Sequence, residues 1–163
     1  MKARLIINGK KAASSALRQA VTNCRLAGTE LDVRVTWEHG DIARLCDEAK
    51  QEGFDNSGAR LIIAGGDGTI NEVVNAVMRW PSEQRPTLGI VPMGTANDFA
   101  KSCELPESTE LALQVALTGS SSAVDVGRCD ATHLSEPLWF ANMLTVGFGA
   151  QVTAQTPVEL KMF

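Results

Sequence analysis

The 163-residue sequence lacks several features that mark particular classes of protein. No apolar run approaches the length of a membrane-spanning helix, and the strand-like run Leu5-Ile6-Ile7 leaves no room before it for a secretory signal. The four cysteines are scattered without a Cys-x-x-Cys pair, which argues against a zinc knuckle or a redox motif. No basic stripe with interleaved aromatic residues occurs and the net charge is −4, so nucleic acid is not an expected partner. We expect a cytoplasmic protein, with a peripheral position at a membrane left open.

The sequence does contain an alternation of short apolar runs and helix-like patterns. Strand-like runs occupy 4–7, 31–36, 61–64 and 88–91, and the second alternates apolar and polar residues as a sheet-edge strand does. This order predicts an α/β nucleotide-binding domain over residues 1–120, with a mainly parallel sheet flanked by helices on both faces. After a short small-residue linker the pattern changes to strand-like runs at 123–128 and 138–145. Residues 121–163 are therefore predicted to begin a second, β-rich domain.

The helix-like segments also predict which side chains face the core. Apolar residues spaced three and four apart define one stripe in each helix. The predicted inward residues are Leu17, Val21, Cys24 and Leu26 in the first helix, Ile42, Leu45, Cys46 and Ala49 in the second, Ile70, Val73, Val74, Val77 and Met78 in the third, and Leu111, Val115 and Leu117 in the last.

The clearest functional pattern is the glycine-rich string Gly65-Gly66-Asp67-Gly68-Thr69 between an apolar run and a helix pattern. Its glycines are predicted to adopt positive φ and to let the backbone approach a ligand, and amides at the start of a helix favour a phosphate. Asp67 would repel phosphates unless a divalent cation lay between them, which favours a Mg-nucleotide. The Gly-Lys-Ser/Thr of a Walker A loop is missing, and Asn71 replaces the third glycine of the dinucleotide fingerprint. A tight connection without any ligand is the alternative interpretation.

A second candidate loop, residues 92–98, follows the strand-like run 88–91. Gly94 relaxes the backbone, Thr95 offers a hydroxyl, and Asn97 and Asp98 are predicted to begin a short helix with their side chains toward the same cleft. Two further polar positions, the turn at Asn8 and the hydroxyl of Thr36, also follow strands. Ligands bind at the carboxyl ends of strands in open α/β sheets, although each of these residues is also ordinary for a turn or a strand.

These strings carry a family resemblance. The string 65–69 resembles the signature shared by diacylglycerol kinases, sphingosine kinases, NAD kinases and phosphofructokinases, and residues 92–100 look like its lipid-kinase branch. With residues 7–10 and 33–38, the chain resembles the bacterial YegS-like lipid kinases of the diacylglycerol kinase catalytic-domain family over essentially its whole length. The resemblance implies transfer of the γ-phosphoryl group of ATP, with Mg, to a lipid hydroxyl at a membrane surface. A diacylglycerol- or phosphatidylglycerol-like acceptor is implied.

The resemblance also implies roles for individual residues. Three carboxylates, Asp67, Asp98 and Asp125, match those that organise the metal through water. The family's general base lies in an Asp-Gly-Glu-type motif with no counterpart here, so the base is expected downstream of Phe163 and none of these residues is expected to be catalytic. The implied ATP-binding residues are Asn8, Thr36, Gly65, Gly66, Asp67, Gly68, Thr69, Asn71, Glu72, Gly94, Thr95 and Asn97.

Two alternatives to an active lipid kinase stay open. One is a kinase of a soluble acceptor, such as NAD or a sugar phosphate, and the other is a nucleotide-binding fragment without catalysis. The chain is expected to be truncated and inactive alone, and assembly into a homo-oligomer is left open.

Overall fold

Four parallel strands form the central sheet of the computed structural model, which describes residues 2–130, 132 and 136–143. They lie side by side in the order β2-β1-β3-β4, so β2 is an edge strand as its alternating sequence predicts. The inner strands β1 and β3 are apolar along most of their length because both faces of the sheet are covered. The strands are β1 (Lys2–Ile7), β2 (Leu31–Val35), β3 (Ala59–Gly65) and β4 (Thr87–Pro92).

Helices cover both faces of the sheet. Helices α1 and α5 pack on one face, and α2, α3 and α4 pack on the other. The predicted α/β class with a parallel sheet is therefore confirmed. None of these helices is long and apolar enough to cross a membrane in the part of the chain that the structure describes. The helices are α1 (Ser15–Leu26), α2 (Asp41–Gln51), α3 (Asp67–Val77), α4 (Asp98–Ser102) and α5 (Thr109–Thr118), with 3-10 turns at Gly9–Lys11 and Ser82–Gln84.

A short antiparallel pair, β5 (Gly127–Cys129) and β6 (Leu138–Phe140), follows the α/β region. The backbone of Trp139 is fixed to α3 by Asn75, whose Oδ1 accepts from Trp139 N at 2.8 Å and whose Nδ2 donates to Trp139 O at 2.7 Å. Both strands are shorter than their predicted runs, and residues 144 and 145 of the second run lie outside the described residues. A domain boundary near residue 121 stays a prediction.

The predicted inner faces are confirmed for α2 and largely for α3, where only Met78 is half-buried. In α1 the prediction is wrong for Leu26, which is 81% exposed. The buried residues of α1 include Leu17 and Val21. Leu26 lies five residues beyond Val21, which rotates it about 140° away from that stripe.

In helix α5 the predicted inner face is confirmed for Leu117, which is buried, and wrong for the other two residues. Leu111 and Val115 are exposed, whereas Leu113 and Ala116 are buried. Ala116 packs on Gly89 of β4, where a Cβ would lie 2.7 Å from the Ala116 Cβ. The missing side chain lets Ala116 approach the sheet closely.

Beneath the sheet, a fully buried arginine connects β1, β2 and the end of α2. Arg4 Nε donates to Asp32 Oδ2 at 2.6 Å, and Arg4 Nη2 donates to Glu52 Oε2 at 2.5 Å. Its guanidinium lies 4.7 Å from the centroid of the Phe54 ring. The two carboxylates are partly exposed to solvent, and this exposure reduces the stabilisation that the two ion pairs contribute.

We expect Arg4→Ala to lower the free energy of unfolding by about 2 kcal/mol, because it removes the buried partner of two carboxylates and leaves a cavity beside Phe54. Urea unfolding measures this change. The matched control is Arg34→Ala, since Arg34 pairs with the same Asp32 but is 36% exposed, and its cost should stay below about 0.5 kcal/mol. Equal costs for the two variants would contradict a special role for the buried arginine.

Candidate nucleotide site

Loops from all four strands meet at the carboxyl edge of the sheet. Backbone hydrogen bonds continue the strand ladder beyond the strand ends: Thr36 N donates to Ile7 O at 2.9 Å, and Met93 N donates to Gly65 O at 2.8 Å. Asn8 N likewise donates to Ala64 O at 3.0 Å. These bonds bring the sequence-predicted loops next to one another.

Two side chains connect the loops that follow β1 and β2 to their neighbours. Asn8 Nδ2 donates to Thr69 Oγ1 at 3.0 Å, and Gly9 N donates to Thr36 Oγ1 at 3.0 Å. Thr69 is buried, and its hydroxyl proton remains available as a donor because its oxygen accepts from Asn8. Three predicted residues, Asn8, Thr36 and Thr69, thus belong to one connected group of loops.

The glycine-rich string does not turn through left-handed backbone. Strand β3 runs through Gly65, α3 begins at Asp67, and the intervening Gly66 is extended with φ −99° and ψ −174°. The predicted positive φ at Gly65, Gly66 and Gly68 is therefore wrong, since among the described glycines only 28, 40 and 53 have it. One extended residue is enough to pass from this strand to this helix.

Close packing is what requires glycine in this loop. A Cβ built on Gly66 would lie 2.9 Å from Gly94 Cα, and a Cβ built on Gly94 would lie 2.6 Å from Gly66 Cα. The first and second loops therefore touch backbone to backbone. Gly68 differs, because it is exposed and a Cβ there would meet no atom within 4 Å.

Asp67 joins the same two loops through its carboxylate. Its Oδ2 accepts from Asp98 N at 3.2 Å and its Oδ1 accepts from Phe99 N at 3.0 Å, so it satisfies amides at the start of α4. Local sequence patterns could not reveal this contact, because the partners lie 31 and 32 residues away. The sequence indicated this contact only indirectly, because the strings 65–69 and 92–98 each follow a strand-like run.

Asn97 completes the second loop. It adopts the left-handed conformation with φ 53°, which asparagine tolerates better than most residues. Its Oδ1 accepts from Gly94 N at 2.7 Å and its Nδ2 donates to Gly94 O at 3.0 Å. The amide thus holds the loop closed, and its contact with a nucleotide stays a prediction.

The start of α3 is the available anion-binding end in this cluster. No described side chain caps the N-terminal amides of α3, whereas Ser14 Oγ accepts from Leu17 N in α1 at 3.3 Å. Free amides at a helix start carry partial positive charge and bind phosphate. Since Asp67 occupies amides of α4, the amides of α3 are the uncapped ones between these two loops, and their contact with a phosphate stays a prediction.

The remaining predicted residues lie on the surface. Asn71, Glu72 and Thr95 are exposed, as is Asp98, and Asp125 is exposed in the segment 120–126 between α5 and β5. Over the described ranges, no three His, Cys, Asp or Glu side chains group closely enough to hold a metal ion directly. Coordination through water by the three predicted carboxylates is untested and stays a prediction.

The sequence predicts Asp41 only as the cap of α2, but Gly40 is the cap and the Asp41 carboxylate supports the loop after Thr36. Asp41 Oδ2 accepts from Trp37 N at 2.6 Å and from Glu38 N at 3.1 Å, while its Oδ1 pairs with Arg44 at 2.7 Å. The backbone hydrogen bond from Trp37, together with Arg44, lowers the pKa of Asp41 to about 2.

This lowered pKa predicts a specific acid sensitivity. The carboxylate of Asp41 contributes stability above its unfolded pKa of about 4, and that contribution is lost as the pH falls through about 2. We expect Asp41→Asn to lower Tm at pH 6 and to flatten the dependence of Tm on pH between about 5 and 2. Thermal melts across that range measure it. Parallel Tm curves for the two proteins would contradict the role of Asp41.

Comparisons with known proteins identify the family to which this chain is similar. The family model of the diacylglycerol kinase catalytic domain matches residues 2–129. The chain is 46% identical, over 96% of its length, to proteins named "Probable lipid kinase YegS-like" from Enterobacter sp. (strain 638) and Yersinia pestis (strain Pestoides F). A diacylglycerol kinase structure from Bacillus anthracis str. Sterne superposes with a TM-score of 0.62 at 32% identity, over 77% of this chain and 44% of that one. The chain spans 50% of the length of the two YegS-like relatives.

Proposed function

Because this chain belongs to the diacylglycerol kinase catalytic domain family, we propose that it forms the nucleotide-binding part of an ATP- and Mg-dependent lipid kinase. The proposed reaction moves the γ-phosphoryl group of ATP to a hydroxyl of a diacylglycerol- or phosphatidylglycerol-like lipid at a membrane surface. Residues 1–120 form the nucleotide domain and residues 121–163 begin a second domain.

One observation carries the proposal: the two strand-end loops touch at Gly66 and Gly94 and are joined by Asp67, beside the uncapped amides of α3. Phosphoryl transfer depends mainly on holding the phosphates in line and neutralising their charge. A rigid pair of loops next to free amide donors supplies such positioning.

In the proposed site, phosphates bind along the first loop. The amides at the start of α3 and the hydroxyl of Thr69 donate to phosphate oxygens, and Thr95 contributes from the second loop. Thr36, Asn71 and Glu72 lie nearby. A Mg ion, held through water by Asp67, Asp98 and Asp125, would neutralise phosphate charge. None of residues 1–163 is proposed as the general base that accepts the lipid hydroxyl proton.

The test compares this chain with a longer form that continues past Phe163. Each is incubated with ATP, Mg and one acceptor: diacylglycerol, phosphatidylglycerol or NAD. We expect the longer form to phosphorylate a lipid and not NAD, and this chain to bind ATP without turnover, because none of residues 1–163 is proposed to position the acceptor or to accept its proton.

Two results would contradict the proposal. Phosphorylation of NAD by the longer form would assign a soluble acceptor instead. Comparable lipid turnover by both forms would place the base within residues 1–163. Omitting Mg serves as the control for the metal and should abolish transfer in the active form.

A further inference from the structure

An apolar groove of about 420 Å³ lies between α1 and the edge of the sheet. Leu17 and Val21 of α1 form one wall, and Val33 and Val35 of β2 form the other. Val35 is 46% exposed although its neighbours in the groove are largely apolar. The groove is wide enough for part of a hydrocarbon chain and is open to solvent.

Two arginines of α1 line this groove. Arg18 Nε donates to Ala12 O and Arg25 Nη2 donates to Leu31 O, each at 3.1 Å, so both guanidinium groups are tethered at the groove. Neither forms an ion pair with a described carboxylate, in contrast to Arg4, which pairs with two. An arginine has five N–H donors, so each retains donors suited to a phosphate.

An exposed tryptophan follows the strand that forms the outer wall. Trp37 is 93% exposed, whereas Trp80, on the opposite face of the sheet, is 3% exposed. The preceding residue, Thr36, is bonded to the 3-10 turn Gly9–Lys11, whose two lysines are exposed. Tryptophan together with lysine and arginine is typical of protein surfaces at the boundary between water and an anionic bilayer. This local basic group stands out in a chain of net charge −4.

We propose that this face docks on a membrane containing anionic phospholipid. Part of an acyl chain enters the groove, Arg18 and Arg25 bind lipid phosphates, and Trp37 lies at the interface. The inference rests on the proposed function, since the acceptor there is a membrane lipid. A second copy of the chain fits the groove less well, because a two-fold contact would bring the arginines of both copies together.

The test is sedimentation of the chain with phosphatidylcholine vesicles that contain or lack phosphatidylglycerol. We expect binding only to the anionic vesicles. Arg18→Gln combined with Arg25→Gln should weaken it about 25-fold, since each basic residue near such a surface contributes about fivefold. Trp37→Ala should weaken it as well. The control is Arg79→Gln, because Arg79 is an exposed arginine that follows α3 on the other side of the sheet and pairs with Glu136, and it should change binding less than about twofold.

Failure of wild-type chain to sediment with anionic vesicles, or equal binding by the double variant, would overturn the proposal. Light scattering covers the alternative: self-association that is lost in the double variant, without vesicle binding, would assign the groove to a second copy and also overturn it. Mg-ATP affinity, measured on the same samples, should be unchanged by all these variants. Absence of vesicle binding by a wild-type chain that still binds ATP would refute only this face, whereas absence of ATP binding in the wild type would refute the proposed function.

Discussion

Asp67→Asn is expected to weaken Mg-ATP binding by about 10 to 100-fold while the chain remains folded. Two causes act together. The substitution removes a charge proposed to organise Mg through water, and it replaces one of two acceptor oxygens by an NH2 group, so one amide of α4 loses its acceptor. Titration calorimetry measures the affinity, and urea unfolding should show a cost of about 1 to 3 kcal/mol.

The control for Asp67 is Asp47→Asn, which removes the same charge from an exposed position on α2 and should leave both quantities unchanged. Measuring ATP affinity without Mg separates the two causes. The loss of the hydrogen bond to α4 should weaken ATP binding with or without the metal, whereas the loss of the charge should matter only when Mg is present. Wild-type Mg-ATP affinity in Asp67→Asn would contradict both the metal role and the positioning role.

Gly94→Ala is expected to have a still larger effect and to reduce Mg-ATP affinity by more than about 100-fold. The added Cβ would lie 2.6 Å from Gly66 Cα and 2.8 Å from Asn97 Oδ1. Backbone cannot yield as a flexible side chain does, so the two loops must separate, and such overpacking also costs about 1 to 3 kcal/mol of stability. Calorimetry and thermal melting test both parts.

Gly68→Ala is the matched control, because it adds the same methyl group to the same cluster. Gly68 lies in α3 and a Cβ there meets nothing within 4 Å, so melting should not fall, and alanine favours helix over glycine by up to about 1 kcal/mol. A loss of ATP affinity in this stable variant would indicate that the phosphates approach Gly68. Unchanged melting and affinity in Gly94→Ala would contradict the contact between the loops.

The sheet could be predicted from the sequence because its inner strands are continuous apolar runs between amphipathic segments. Such runs occur where parallel strands are covered on both faces, and β3 is buried along almost all of its seven residues. Helix α2 was equally clear, since its polar and apolar faces differ sharply. The alternation of strands and helices along the chain predicts parallel strands. The loops that follow such strands all lie at the same edge of the sheet.

Features decided by distant contacts could not be predicted. Helix α5 is apolar on several sides, so its sequence does not single out an inner face, and in the structure Leu113 is buried while Leu111 is exposed. The same holds for Phe54, which lies in a polar segment yet is buried under Arg4. In the site, glycine was expected for positive φ, whereas the need is close packing of Gly66 on a residue 28 positions later.

The most direct test of the nucleotide site is calorimetric titration of the 163-residue chain with ATP, first with Mg²⁺ and then with EDTA, beside Gly94→Ala. We expect saturable binding by the wild type that weakens when the metal is chelated and is lost in the variant. Absence of binding to the folded wild type, or equal affinity in all three titrations, would contradict a Mg-nucleotide site built from these two loops.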